Sequence, residues 1–184
     1  MVTGKATARV SGIDSVQGAI DTIEQYFENG WTDGFPIVPP TEELVQLMVG
    51  ASGRNPMEVL GVLPPRYGVA TIESVATNAV MAGCKPEYMP VVVAAVEAML
   101  DERFDLQGLQ ATSDPAAPLV IVSGPVVEQI GINHGASLFG PGSRANATIG
   151  RTLRLLMINL GGAHPDSEIN PPWAHQQNTR SASA

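Results

Sequence analysis

Residues 129–165 contain no aspartate or glutamate, and they hold Arg144, Arg151, Arg154, His134 and His164. The chain has 18 acids against 10 Lys and Arg, a formal charge of −8. Even spacing would place roughly three or four acids in that run. A locally positive field in an acidic protein concentrates anions. Within the run, Gly140-Pro141-Gly142-Ser143 turns tightly and lets backbone N–H groups approach a ligand. A helix opening at Ser143 or Arg144 adds its positive N-terminus. Arg144 and Arg151 then share a face two turns apart, with Thr148 between them. A guanidinium fork suits a carboxylate or a phosphate, and Ser143, Asn146 and Thr148 supply neutral donors. The expected substrate-binding set is Gly140, Gly142, Ser143, Arg144, Asn146, Thr148 and Arg151. The competing reading is an ordinary loop before a helix whose arginines pair with acids elsewhere, Glu73 and Glu97 being candidates. The string is neither a Walker loop, since it lacks Gly-Lys-Ser/Thr, nor a dinucleotide fingerprint.

Two further side chains can do chemistry. Cys84 lies between the stop of one helix and the start of the next, beside Lys85. There a thiolate would be favoured, as a nucleophile or soft ligand; the alternative is a small buried core residue, the commoner fate of a free cysteine. His134, in Asn133-His134-Gly135, falls in a loop near the arginines, where acid–base work is the expected role. Cys84 and His134 are the candidate catalytic residues. His134, His164 and His175 lack the i, i+4 spacing of a helical metal site, so no metal is assigned, and no cofactor is indicated.

The elements that must position these residues follow from periodicity. Residues 1–12 read as a flexible arm. A helix is expected to begin near Asp14, with Gln17 as its capping partner, Ile20, Ile23 and Phe27 on one face and Gly30 as its stop. Trp31–Pro40 is a turn and an extended piece. Thr41 caps a second helix whose inner face is Leu44, Leu47 and Met48; Ser52–Asn55 ends it and Pro56 opens a short helical turn. Leu63–Gly68 is a Pro-rich loop. Thr71 caps a third helix, with Ile72, Val75, Ala76, Ala79 and Val80 as its apolar stripe and Glu73, Thr77 and Asn78 outside it. Gly83 stops it. A helix from Pro86 to Leu100 is apolar nearly all round and should be central. Pro118–Ser123 is the best strand, short, β-branched and suited to cover on both faces. Val126–Ile130 is a helical turn, Gly131–Gly142 a loop, and a final helix runs to about Leu160, where Gly161-Gly162 ends it. The expectation is an α/β fold, helix-rich, with a small sheet covered by helices around a single core. It comprises one domain over residues 13–164 and an extended or disordered tail over 165–184.

Composition excludes several function classes. A net charge of −8 opposes nucleic-acid binding, which rests on Lys and Arg. One cysteine permits no internal disulfide and fits a reducing compartment. Met1–Ser11 has no apolar core of a signal peptide, and Met89–Leu100 is too short to span a bilayer. A cytoplasmic location is expected. With only 15% charged residues, part of the surface is expected to be covered by a second protein subunit.

The strings Trp31–Thr41 (WTDGFPIVPPT), Ala82–Val91 (AGCKPEYMPV), Gly140–Arg151 (GPGSRANATIGR) and Asn159–Pro165 (NLGGAHP) together resemble an uncharacterised bacterial family associated with UGSC-type (seleno)proteins. The likeness covers about residues 26–165, the family's N-terminal half. It implies a cytoplasmic enzyme system in which a partner carries a reactive thiol or selenol. The resulting expectation is a subunit of a heteromeric enzyme that binds a small anionic molecule, with lyase, hydratase or thiol-transfer chemistry. The rival readings are a non-catalytic structural partner of a thiol or selenol enzyme and, more remotely, a small-ligand sensor.

Overall fold

The computed structural model describes Ile13, residues 15–112 and residues 116–163. The expected arm over 1–12, the Asp14 cap, His164, His175 and the tail from Pro165 lie outside the described residues. The fold is a helix-rich α/β fold with a two-stranded antiparallel sheet. Its elements are α1 (Val16–Glu28), α2 (Glu42–Ser52), β1 (Val59–Leu63), β2 (Gly68–Thr71), α3 (Ile72–Ala82), α4 (Met89–Leu100), α5 (Leu106–Ala111), α6 (Val126–Gln129) and α7 (Arg144–Asn159).

The helix ends follow local chemistry. Thr41 caps α2, and Thr71 caps α3 in a reciprocal box with Ser74. Gly53 and Gly83 end these helices in the left-handed conformation that a glycine adopts without strain. α1 starts one residue later than expected. The Ser15 hydroxyl accepts from the Gly18 N–H, and Gln17 instead donates to Asp21.

Inward faces are set by neighbours rather than by period alone. In α1, Ile20 and Phe27 are exposed and Thr22 and Tyr26 are buried. Tyr26 packs edge-on against Trp31, with ring centroids 5.1 Å apart, and this contact sets which face of α1 turns inward. α2 buries Val45, Met48 and Val49 while Leu44 and Leu47 stay exposed; the second of two overlapping stripes packs on α3 and α4. α3 is the central helix. It contacts α2, α4 and α7, and its expected polar positions Thr77 and Asn78 are completely buried. Thr77 Oγ1 bonds the Glu73 carbonyl and Asn78 Nδ2 the Ser74 carbonyl within the helix, while Asn78 Oδ1 accepts from Asn159 of α7. α4, expected to be buried all round, leaves Pro90, Ala94, Glu97 and Ala98 exposed along one side.

The sheet is not where the sequence placed it. Pro118–Ser123 belongs to no strand among the described residues. The sheet is a hairpin of β1 and β2 around the expected Leu63–Gly68 loop, with Gly61 opposite Ala70 and Leu63 opposite Gly68; Pro56 stands in a plain turn leading to it. Its turn holds a cis Pro64–Pro65 bond and is tied to the end of α7, with the Arg66 N–H on the Gly161 carbonyl at 3.0 Å and the Gly68 N–H on the Leu160 carbonyl at 3.2 Å. This contact explains the glycines. A Cβ on Gly161 would meet the Met157 carbonyl at 2.5 Å and the Pro64 carbonyl at 2.7 Å, and one on Gly68 would run into the Leu160 carbonyl.

Gly161→Ala therefore forces two backbone segments apart. Overpacking of this kind costs about 1–3 kcal/mol, and Tm should fall by roughly 2–10 °C. Gly50→Ala is the control, because that helical position has nothing within 4 Å of an added Cβ; its Tm should hold or rise. Thermal denaturation followed by circular dichroism checks both.

Candidate anion-binding site

α7 positions most of the residues singled out by type, and it divides them into three environments. Its N-terminus is built by Ser143, whose hydroxyl accepts from the Asn146 N–H at 3.3 Å and donates to Asn146 Oδ1 at 2.7 Å. Asn146 is fully engaged. Its Oδ1 also accepts from the Asn133 N–H, and its Nδ2 donates to the Asn133 carbonyl at 2.9 Å and the Leu138 carbonyl at 3.1 Å. Its role is to brace the 131–142 loop against the helix. The backbone N–H groups from Gly142 to Ala145 donate no hydrogen bond among the described residues, as the first turn of a helix leaves them.

These free N–H groups border a concavity of about 490 Å³ whose lining includes Lys85, Tyr88, Asn133, Gly142, Ser143 and Arg144. Two of its lining side chains are cations. Arg144 is anchored through Nε to the Gly83 carbonyl at 3.0 Å, where the negative C-terminus of α3 favours a positive charge. Its two terminal nitrogens make no hydrogen bond among the described residues. Lys85 stands 3.6 Å from Glu87, both about half exposed, a pairing too open to water to neutralise it. In sequence Lys85 is a neighbour of Cys84; its membership here depends on the chain bending between α3 and α4 at Gly83 and Pro86.

Arg151 has a different task. It grips Asp33 with two bonds, Nε to Oδ2 at 2.9 Å and Nη2 to Oδ1 at 2.8 Å, and also reaches the Phe35 and Pro36 carbonyls. The pair is largely buried, at 22% and 14% side-chain exposure. It shares a face of α7 with Arg144, yet it is occupied in holding the 31–40 segment. Thr148 lies between them, its hydroxyl on the Arg144 carbonyl at 2.8 Å. Glu97, considered as a partner for either arginine, instead pairs with Arg54 at 2.5 Å.

Cys84 belongs to the main core cluster. Its Sγ lies 3.2 Å from Thr152 Oγ1. Burial pushes its thiol up, against the opposing pull of Thr148, Thr152 and the Arg144 charge. It does not line the concavity. His134 is exposed, with Nε2 3.0 Å from Glu128 Oε1, and together with Gly140 it lines a separate groove beside Pro118–Val122. The structure thus brings Gly142, Ser143 and Arg144 together with Lys85, and places Gly140, His134, Cys84 and Arg151 elsewhere. No group of three His, Cys, Asp or Glu side chains is gathered as metal ligands among the described residues, and no described helix is long and apolar enough to cross a membrane.

Arg151→Lys keeps the charge but loses the fork. With one carboxylate and two carbonyls left poorly satisfied in a partly buried place, a loss of about 1–3 kcal/mol is expected, and urea denaturation should show a lower midpoint at an unchanged slope. An unaltered midpoint would contradict the structural role given to this arginine.

No family model, curated protein or solved structure matches this chain.

Proposed function

We propose that this chain binds a small carboxylate- or phosphate-bearing molecule at the N-terminus of α7. The observation that carries the reading is the convergence on one concavity of two side-chain cations, Lys85 and Arg144, with the unpaired N–H groups of Gly142–Ala145. A planar guanidinium held by one edge leaves its other edge for an oxyanion. The aligned peptide dipoles of a 16-residue helix add to the attraction. The absence of acids through residues 129–165 means that no carboxylate of this stretch competes for the cations. As an enzyme subunit the chain would hold the anionic end of a substrate. The reacting groups would then come from outside this concavity, since neither His134 nor Cys84 lines it.

Inorganic phosphate and succinate are the probes, titrated by calorimetry at low ionic strength. Wild type should show saturable binding that weakens with added salt. Arg144→Ala and Lys85→Ala should each reduce affinity about tenfold or more, as expected for loss of a charged hydrogen bond, with Tm nearly unchanged because both side chains are exposed. Affinity retained in Arg144→Ala would overturn the reading.

A further inference from the structure

Residues 116–123 belong to no helix or strand, and none of their backbone N–H or C=O groups makes a hydrogen bond among the described residues. From Leu119 to Ser123, exposed and part-buried residues alternate, the period of an extended chain. One side of this segment rests on the protein, with Val120 and Val122 packed against the core. The other side is open, with Leu119 at 65% and Ile121 at 86% exposure. Both edges are open too. A groove of about 550 Å³ separates the segment from the start of α7, where Leu138 and the 84% exposed Phe139 form its wall. A second groove of about 530 Å³ separates it from the exposed Pro90, Ala94 and Ala98 of α4. The segment's unbonded backbone groups leave it with the free edge of an unpaired strand. Such an edge is a template for another chain.

We propose that Pro118–Ser123 is a dimerisation strand that pairs antiparallel with the same segment of a second copy of this chain. Three observations select a second copy. First, an antiparallel pair across a two-fold axis satisfies donors and acceptors of both copies in one contact, the self-complementary arrangement that closed dimers use. Second, residues 116–127 contain no ionisable side chain. A chain of net charge −8 repels itself over most of its surface, and this stretch is where two copies meet without opposing like charges. Third, residues directly opposite in an antiparallel pair point to the same face. Pairing with Val120 on the axis therefore sets Leu119 against Ile121 of the second copy, and Ile121 against its Leu119. Bulky β-branched and leucine side chains that are exposed in one copy become a row of apolar cross-strand contacts in two. Phe139 lies beside the edge facing α7 and adds to the same apolar surface.

Sedimentation equilibrium of the full chain at up to about 100 µM tests the proposal. Wild type should sediment at twice the 19.3 kDa chain mass. Ile121→Lys and Leu119→Lys place a charge next to the axis in both copies, and each should weaken dimerisation by about tenfold or more. Both positions are exposed, so far-ultraviolet circular dichroism and the urea midpoint at monomer concentrations should match wild type. A wild-type chain that is monomeric throughout overturns the proposal, whether or not a foreign strand binds the segment. So does dimerisation of both lysine variants with wild-type affinity, which would place the contact elsewhere.

Discussion

The packing of α7 on α3 is the constraint on which the rest of this molecule depends. α3 is buried from Ser74 to Ala82, and α7 covers it along its length. Near the start of α7, Thr148 approaches Gly83, and Thr152 meets Cys84. Near its end, the Asn159 amide donates to Asn78 at 2.7 Å and to the Trp31 carbonyl at 3.2 Å. Gly161 then sits against the hairpin turn. One rigid helix thus fastens the 31–40 segment at its middle, the sheet at its end and the loop after α6 at its beginning. Because its position along α3 is fixed, its first turn is held opposite Lys85.

The acid-poor stretch has two consequences that charge counting alone does not separate. Arg151 meets an acid from far along the chain, Asp33, and the pair shuts the 31–36 loop onto α7. Among the described residues Arg144 hydrogen-bonds only the Gly83 carbonyl and has no carboxylate partner. The same residue type on the same helical face is a clamp in one turn and an open cation two turns earlier. What distinguishes them is which loop happens to arrive there.

The parts legible in the sequence are those decided within a few residues. Thr41, Thr71, Ser143 and the glycines at 53 and 83 cap or stop helices because the donors and acceptors involved are their immediate neighbours. The hairpin escaped because Gly61 interrupts β1 and two prolines occupy its turn, a pattern that also suits a loop. Pro118–Ser123 reads as a strand from its β-branched run but joins no sheet among the described residues, since pairing belongs to other segments. Burial of Thr77 and Asn78 depends on three helices closing around α3. The Asp33-Gly34 dipeptide marks a turn, and nothing near it in sequence points to a partner 118 residues away. The Gly140–Arg151 string reads as one set from its spacing, but the structure places Gly142, Ser143 and Arg144 on one concavity and gives Asn146 and Arg151 to bracing and clamping.

The proposed division of α7 is into an anion-facing first turn and a structural middle. Backbone amide chemical shifts during a phosphate titration test it most directly, since each turn reports separately. Saturable shifts confined to Gly142–Ala145 and Lys85, with Asp33–Pro36 and Arg151 unmoved, are what the account predicts. Shifts centred on Asp33–Pro36 and Arg151, or no saturable shift in the first turn, would contradict it.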